Sequence, residues 1–215
     1  MPQRQLQTAF SEFARSLQES RQLSTDAHHW SLPGAHGARP FISRKRRDYL
    51  TELAFLHAFQ AWEVFIEESF ILYLWGRRAP RGRAPRRYAF PPDRRTAAEW
   101  VIPEGREYAQ WTHAQYVRER AERFFKEGRP FSPVLMGNQN LLNEIRVIRN
   151  AIAHKSQSVR DKFETVVRAK LGTLPANLTV GGFLGTTTPG TVPPVSFLES
   201  YFDKIELAAR LIVPC

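Results

Sequence analysis

The segment from Arg44 to Trp75 constrains the fold more than any other part of the chain. No glycine or proline interrupts it from Asp48 to Trp75. Leu53, Leu56, Phe59, Val64, Ile66, Phe70 and Leu74 spread apolar surface over much of a helical circumference. A helix with so wide an apolar face must be covered by neighbours. The spacing therefore predicts a helix over 44–75 at the centre of a helical bundle, with surface to spare for a subunit interface.

The remaining segments agree with an all-α bundle. Leu6, Phe10, Phe13 and Leu17 recur at helical steps and predict a helix over 3–22. Pro33, Gly34 and Pro40 mark 23–43 as a connector. Residues 112–127 read as a charged surface helix ended near Gly128 and Pro130. A helix over 138–154 follows, then one over 157–171 with Phe163, Val166 and Val167 inward. The last, 197–212, buries Phe197, Tyr201, Ile205 and Ile212. Two segments break the pattern. Residues 76–111 open with an Arg/Pro-rich run and continue into a stretch of ambiguous conformation around Trp100, Tyr108 and Trp111. Residues 172–196 form a Gly/Thr/Pro-rich loop with room for a small hairpin. The expectation is one all-α domain over 1–215, a bundle of four to five main helices with two loop insertions.

The formal net charge is +10 and the sequence pI about 10.2, which favours an anionic partner: nucleic acid, an acidic protein or an anionic membrane surface. A membrane span is not expected, because Glu67, Glu68 and Ser69 interrupt the longest apolar stretch, Phe65 to Trp75. The single cysteine, Cys215, allows no disulfide within the chain and no cysteine zinc site. The polar, amphipathic first twenty residues do not resemble a secretory signal. A cytoplasmic location is the expectation. The densest positive charge lies in Arg77, Arg78, Arg81, Arg83, Arg86 and Arg87, and a second run is Arg44, Lys45, Arg46 and Arg47. Such loops are either an electrostatic guide for RNA, with Tyr88 and Phe90 available to stack on bases, or solvated surface.

On a wheel of about 100° per residue, Leu141, Ile145, Ile148 and Ile152 share one arc and define the core face of the helix over 138–154. Arg146, Asn150 and His154 follow at four-residue steps on the far side. Arg149 stands at the other edge of the polar arc, about 140° from His154 on an ideal helix. The two converge only if Arg149 swings over, if the helix ends near Ala153, or if they meet across a dimer. The residue types suit RNA cleavage by attack of the 2′-hydroxyl on its neighbouring phosphate. His154 can manage a proton near neutral pH. Arg149 offers a planar fork to the charge growing at phosphorus, and Asn150 can orient either group. That chemistry calls for no metal or cofactor, and no metal-ligand spacing is present. The plain alternative is a capping histidine on a solvated arginine-rich face.

The run IRVIRNAIAHKS (145–156) resembles the signature of HEPN domains: small α-helical bundles marked by Arg, four to six residues, then His. Its Arg-Asn start and Ala-His end are similar to the branch grouped with RiboL-PSP and related bacterial defence proteins. HAFQAWEVFIEESF (57–70) is similar to the long early helix of those domains, and the segment around SFLESYFDKIELAARLI is compatible with their closing helix. The resemblance implies a homodimer with a composite active site. It implies a metal-independent endoribonuclease leaving 2′,3′-cyclic phosphate and 5′-hydroxyl ends, employed as a toxin or antiviral defence effector with a possible antitoxin or defence-system partner. By position, Arg149 and His154 are the essential pair and Asn150 their support. Arg146 and Lys155 join them as RNA-binding residues, from the wheel and from adjacency. Ser156 stands where nucleotide-modified members carry tyrosine, so that modification is excluded. The alternative within the family is a non-catalytic module that binds RNA or a partner protein.

Overall fold

The structure, a computed structural model, describes residues 5–34, 39–105 and 107–215. It is all-α, as expected. In chain order the helices are α1 (Leu6–Trp30), α2 (Arg44–Trp75), α3 (Arg94–Trp100), α4 (Ala114–Phe124), α5 (Phe131–Gly137), α6 (Gln139–Ala153), α7 (Gln157–Leu171), α8 (Val180–Leu184) and α9 (Phe197–Ile212). Six of them have eleven residues or more, against an expectation of four or five main helices. Pairing of β type among the described residues is confined to two isolated bridges, Arg87 with Phe125 and Thr187 with Ser196.

The expected spans of α2, α7 and α9 agree with the structure. That of α1 does not, because the helix runs on to Trp30. Ser20 and Ala27 continue its buried side, and Gln22 donates to Asp26 one turn on, so the first effective stop is Pro33. The expected start at residue 3 and the connector's residues 35–38 lie outside the described residues. Between α4 and α6 the chain forms a 3-10 turn, Lys126–Gly128, and then the separate α5. Asn138 ends α5 by donating its side-chain amide to the Val134 carbonyl at 2.9 Å. Both insertions contain helix. Asp93 caps α3 by accepting from Thr96 N at 2.8 Å, and Thr179 caps α8 by accepting from Gly182 N at 2.9 Å.

The chain divides into two compact units. One comprises Met1–Ala14, Ala61–Asn143 and Ile205–Cys215; the other comprises Arg15–Gln60 and Glu144–Lys204. In the first, Phe70 of α2 is ringed by Phe131, Phe125, Trp111 and Phe124 at centroid distances of 4.9, 5.1, 5.4 and 6.2 Å. Phe13 of α1 packs on Phe65 at 5.2 Å. The helix expected to be a charged surface element, α4, buries Val117, Ala121 and Phe124 and lays the Arg120 guanidinium over Trp111 at 4.5 Å. Its charged positions are half of an amphipathic pattern, and each buried large side chain contributes about 1.5–3 kcal/mol.

In the second unit, Phe55 of α2 meets Tyr201 of α9 at 6.4 Å. Phe183 of α8 lies between Phe163 at 5.7 Å and Phe197 at 4.7 Å. The 172–196 segment is thus a core contributor as well as a loop, with Phe183 and Leu184 fully buried. Gly181 sits so close to α2 that a β-carbon there would lie 2.0 Å from the Asp48 carbonyl oxygen, and only glycine fits. The small hairpin reduces to the Thr187–Ser196 bridge, closed by Thr188 N donating to Val195 O at 2.7 Å.

Candidate functional site

Helix α6 carries the Arg149–His154 motif. Ile145 and Ile148 are fully buried and anchor it. Leu142 is buried as well, whereas Leu141 and Ile152 are only half-buried, so the core face is shifted slightly from the expected arc. Glu144, absent from the expected site, fixes the helix. It accepts from Tyr201 Oη at 3.2 Å and pairs with Lys170 Nζ at 2.9 Å, tying α6 to α9 and α7. Burial first, and Glu144 second, push the Tyr201 hydroxyl well above its ordinary pKa, so it stays a neutral donor. No local period announces Glu144, because its partners lie 26 and 57 residues away.

On the opposite side, Arg146, Arg149 and Asn150 are half-buried, while His154 and Lys155 are exposed. Arg149 Nη1 donates to Asn150 Oδ1 at 3.2 Å, which leaves most of its guanidinium donors open. Among the described residues, Arg146 Nε is buried with no hydrogen-bond partner. The helix ends at Ala153, one of the three routes by which Arg149 and His154 could approach. His154 N still donates to Asn150 O at 2.8 Å, and residues 154–156 turn the chain into α7. Within one chain the structure brings Arg149 and Asn150 together. Among the described residues, no hydrogen bond or ion pair holds the His154 ring, and none joins it to Arg149. Arg146, Arg149, His154 and Lys155 also have no carboxylate partner among those residues.

The Arg/Pro-rich loop is pinned rather than free. Arg81 N donates to Pro214 O at 3.1 Å, Lys126 N to Arg86 O at 2.8 Å, and Tyr88 N to Phe124 O at 2.9 Å. Its arginines divide into two groups. Arg87 Nη1 donates to the Leu74 carbonyl at 2.7 Å, closing the C-terminal end of α2, and its guanidinium lies 4.9 Å over Phe90. Arg77 lies 3.9 Å over Trp75. These two hold structure, and Arg87 covers one face of the Phe90 ring, which otherwise remains exposed. Arg78, Arg81, Arg83 and Arg86 remain exposed, as does Tyr88.

In the second basic run, Arg47 donates to Asp48 Oδ1 at 2.6 Å. Arg44 lines a cavity of about 480 Å³ together with His28, Ser24 and Thr25. Among the described residues, no group of three or more His, Cys, Asp or Glu is placed to hold a metal ion, and no helix is long and apolar enough to cross a membrane. Comparison with protein-family models, curated proteins and solved structures finds no match for the chain.

Proposed function

We propose that the chain is a HEPN-type endoribonuclease that acts as a homodimer, with α6 as its catalytic element. One observation carries the reading: Arg146 and Arg149 on α6, and His154 and Lys155 in the turn that follows it, stand without carboxylate partners among the described residues, beside a helix whose other face is firmly anchored. Arg146, Arg149 and Lys155 offer positive charge to an anion, and Arg149 with Asn150 forms a paired donor set for a phosphate. In the proposed step the RNA 2′-oxygen attacks phosphorus and the P–O5′ bond breaks, giving a 2′,3′-cyclic phosphate and a 5′-hydroxyl. One His154 accepts the 2′-hydroxyl proton, and His154 of a second copy gives a proton to the departing 5′-oxygen. Arg149 stabilises the charge on the phosphorane. Because the scheme uses two histidines, dimerisation belongs to the mechanism, and the wide angle between Arg149 and His154 is met by convergence across the interface. The biological role in this reading is that of a toxin or antiviral effector in the cytoplasm, held in check or triggered by an antitoxin or defence-system protein.

Incubation with total RNA, with and without a chelator, tests the proposal. The parental chain should cut in both conditions and leave 5′-hydroxyl ends. His154→Ala and Arg149→Ala should each lose about 10²–10⁴-fold in rate while keeping the dimer. Cleavage by either variant at the parental rate refutes the assignment.

A second reading rests on the unheld His154 ring. A non-catalytic HEPN module that binds RNA or a partner protein needs no oriented histidine, and it predicts saturable binding without turnover at any protein concentration.

A further inference from the structure

A cleft of about 590 Å³ opens in the first unit, lined in part by Arg83 and Arg86, by Lys126 and Arg129, and by the C-terminal end of α9. We infer that it is a binding site for a single-stranded RNA segment, seating phosphates on these cations and a base on an apolar floor. The inference rests on the ribonuclease reading for its choice of RNA, and on the cleft for everything else.

The charge balance is the first argument. Of the lining residues, the only side-chain carboxylate is Glu127, and it already pairs with Arg129 at 3.0 Å. Arg83, Arg86 and Lys126 are exposed and have no acidic partner among the described residues. Tyr73 reaches the floor with its hydroxyl donated to Ile212 O at 2.7 Å, and burial pushes its pKa well above the ordinary value, so it adds no negative charge.

The shape is the second. Ile212 and four prolines, Pro85, Pro130, Pro133 and Pro214, also line the cleft, giving it an apolar floor of a size usual for ligand sites. A duplex presents a convex backbone that uses phosphate contacts but no apolar floor. An extended single strand uses both, with phosphates on cations and a base against the floor. The third argument is rigidity. Arg86 O accepts from Lys126 N at 2.8 Å, and Arg81 N donates to Pro214 O at 3.1 Å, so the cation-bearing segments are held in register before any ligand arrives. Lys126 and Arg129 flank the turn at Gly128 and, unlike the arginine run, give no signal as a charge block in the sequence.

Fluorescence anisotropy with a labelled single-stranded oligoribonucleotide tests the inference, using the full chain carrying His154→Ala so that the probe survives. Arg83→Gln, Arg86→Gln and Lys126→Gln together should weaken binding at least tenfold at low salt. They should also lower the slope of log K against log salt by about 2, since each phosphate contact on a single strand contributes about 0.7. A control triple, Arg15→Gln, Arg95→Gln and Arg160→Gln, removes equal charge from surface pairs and should leave binding within about twofold. If the cleft triple does not fold, Lys126→Gln alone should lower the slope by about 0.7.

An unchanged affinity and slope in the cleft variants overturn the inference. So does displacement of the probe by polyglutamate as readily as by unlabelled oligonucleotide, which would assign the cleft to an acidic protein. Cleft-dependent binding by a chain that never cuts RNA sinks the ribonuclease reading alone. Cleavage and binding that both ignore the cleft residues sink this inference alone.

Discussion

Replacing Gly181 with alanine perturbs the contact between α8 and α2 at its tightest point. The new β-carbon would lie 2.0 Å from the Asp48 carbonyl oxygen, 2.5 Å from its carbonyl carbon and 2.7 Å from its α-carbon, where ordinary contact begins at 3.4 Å. All three atoms are backbone within a 32-residue helix, so they cannot rotate away as a side-chain tip could. The five-residue α8 must move instead. Its displacement strains the hydrogen bond from Gly181 N to Glu52 Oε1, 2.9 Å, and that from Thr179 Oγ1 to Asp48 Oδ2, 2.8 Å. Overpacking of this kind costs about 1–3 kcal/mol. Weakening a partly buried bond to a carboxyl adds about 1–2 kcal/mol, and alanine's better helix propensity returns less than about 1 kcal/mol. The expected destabilisation is about 2–4 kcal/mol, read as a lowered urea midpoint at constant m-value. Gly137→Ala serves as the control. A β-carbon added there would meet nothing within 4 Å, and the φ of Gly137 is not positive. That substitution should be neutral or stabilising by up to about 1 kcal/mol. A Gly181→Ala midpoint within error of the parent would refute the packing argument.

Glu52 predicts a pH dependence. Burial raises its pKa above 4.5, more than the Gly181 amide bond lowers it, and Asp48 raises it further. The folded chain therefore holds this proton more readily than the unfolded one. Stability from this group is complete below 4.5 and is lost as pH rises through the raised folded value. Glu52→Gln keeps an acceptor for Gly181 N but does not titrate, so its stability relative to the parent should climb through that window and then level off. A flat difference across the window in urea titrations would count against the assignment. Arg87→Ala removes the guanidinium donor from the Leu74 carbonyl and should cost about 1–2 kcal/mol. Exposed Arg86→Ala should stay within about 0.5 kcal/mol. Equal urea midpoints for these two would show that Arg87 does not hold the end of α2.

Legibility in the sequence followed the range of the interactions. The span of α2 could be read because it has no breaker and abundant apolar surface, and those of α7 and α9 because Gly172 and Ser196 sit at their edges. The far end of α1 was harder to read, since its apolar steps, Leu23, Ala27 and Trp30, are set among polar residues and only the small Ala27 is buried. Helix α8 is only five residues long, too short for periodicity, and its place depends on Asp48, which lies more than a hundred residues earlier in the chain. The same limit applied to the candidate site. The residue types of the α6 motif and their faces were legible from helical geometry. The Glu144 anchor and the engagement of Arg87 were not, because both depend on tertiary partners.

The charge pattern of α6 bears on why those residues stand where they do. Glu144 is the single acidic residue between Gln139 and Lys155, and it faces Lys170 and Tyr201. The basic residues Arg146, Arg149, His154 and Lys155 are left without a local carboxylate, although an acid four residues before any of them would add a few tenths of a kcal/mol. Other helices of the same chain carry acid–base pairs at four-residue spacing: Arg15 with Glu19, Arg95 with Glu99 and Arg160 with Glu164, where the acid follows, and Arg210 with Glu206, where it precedes. The absence of such pairs from α6 leaves a local arrangement that stability alone does not favour, and such departures are expected at functional or strained sites. A phosphate backbone is an anion of the right kind, and its binding should raise the melting temperature of the chain more than that of the Arg149→Ala variant.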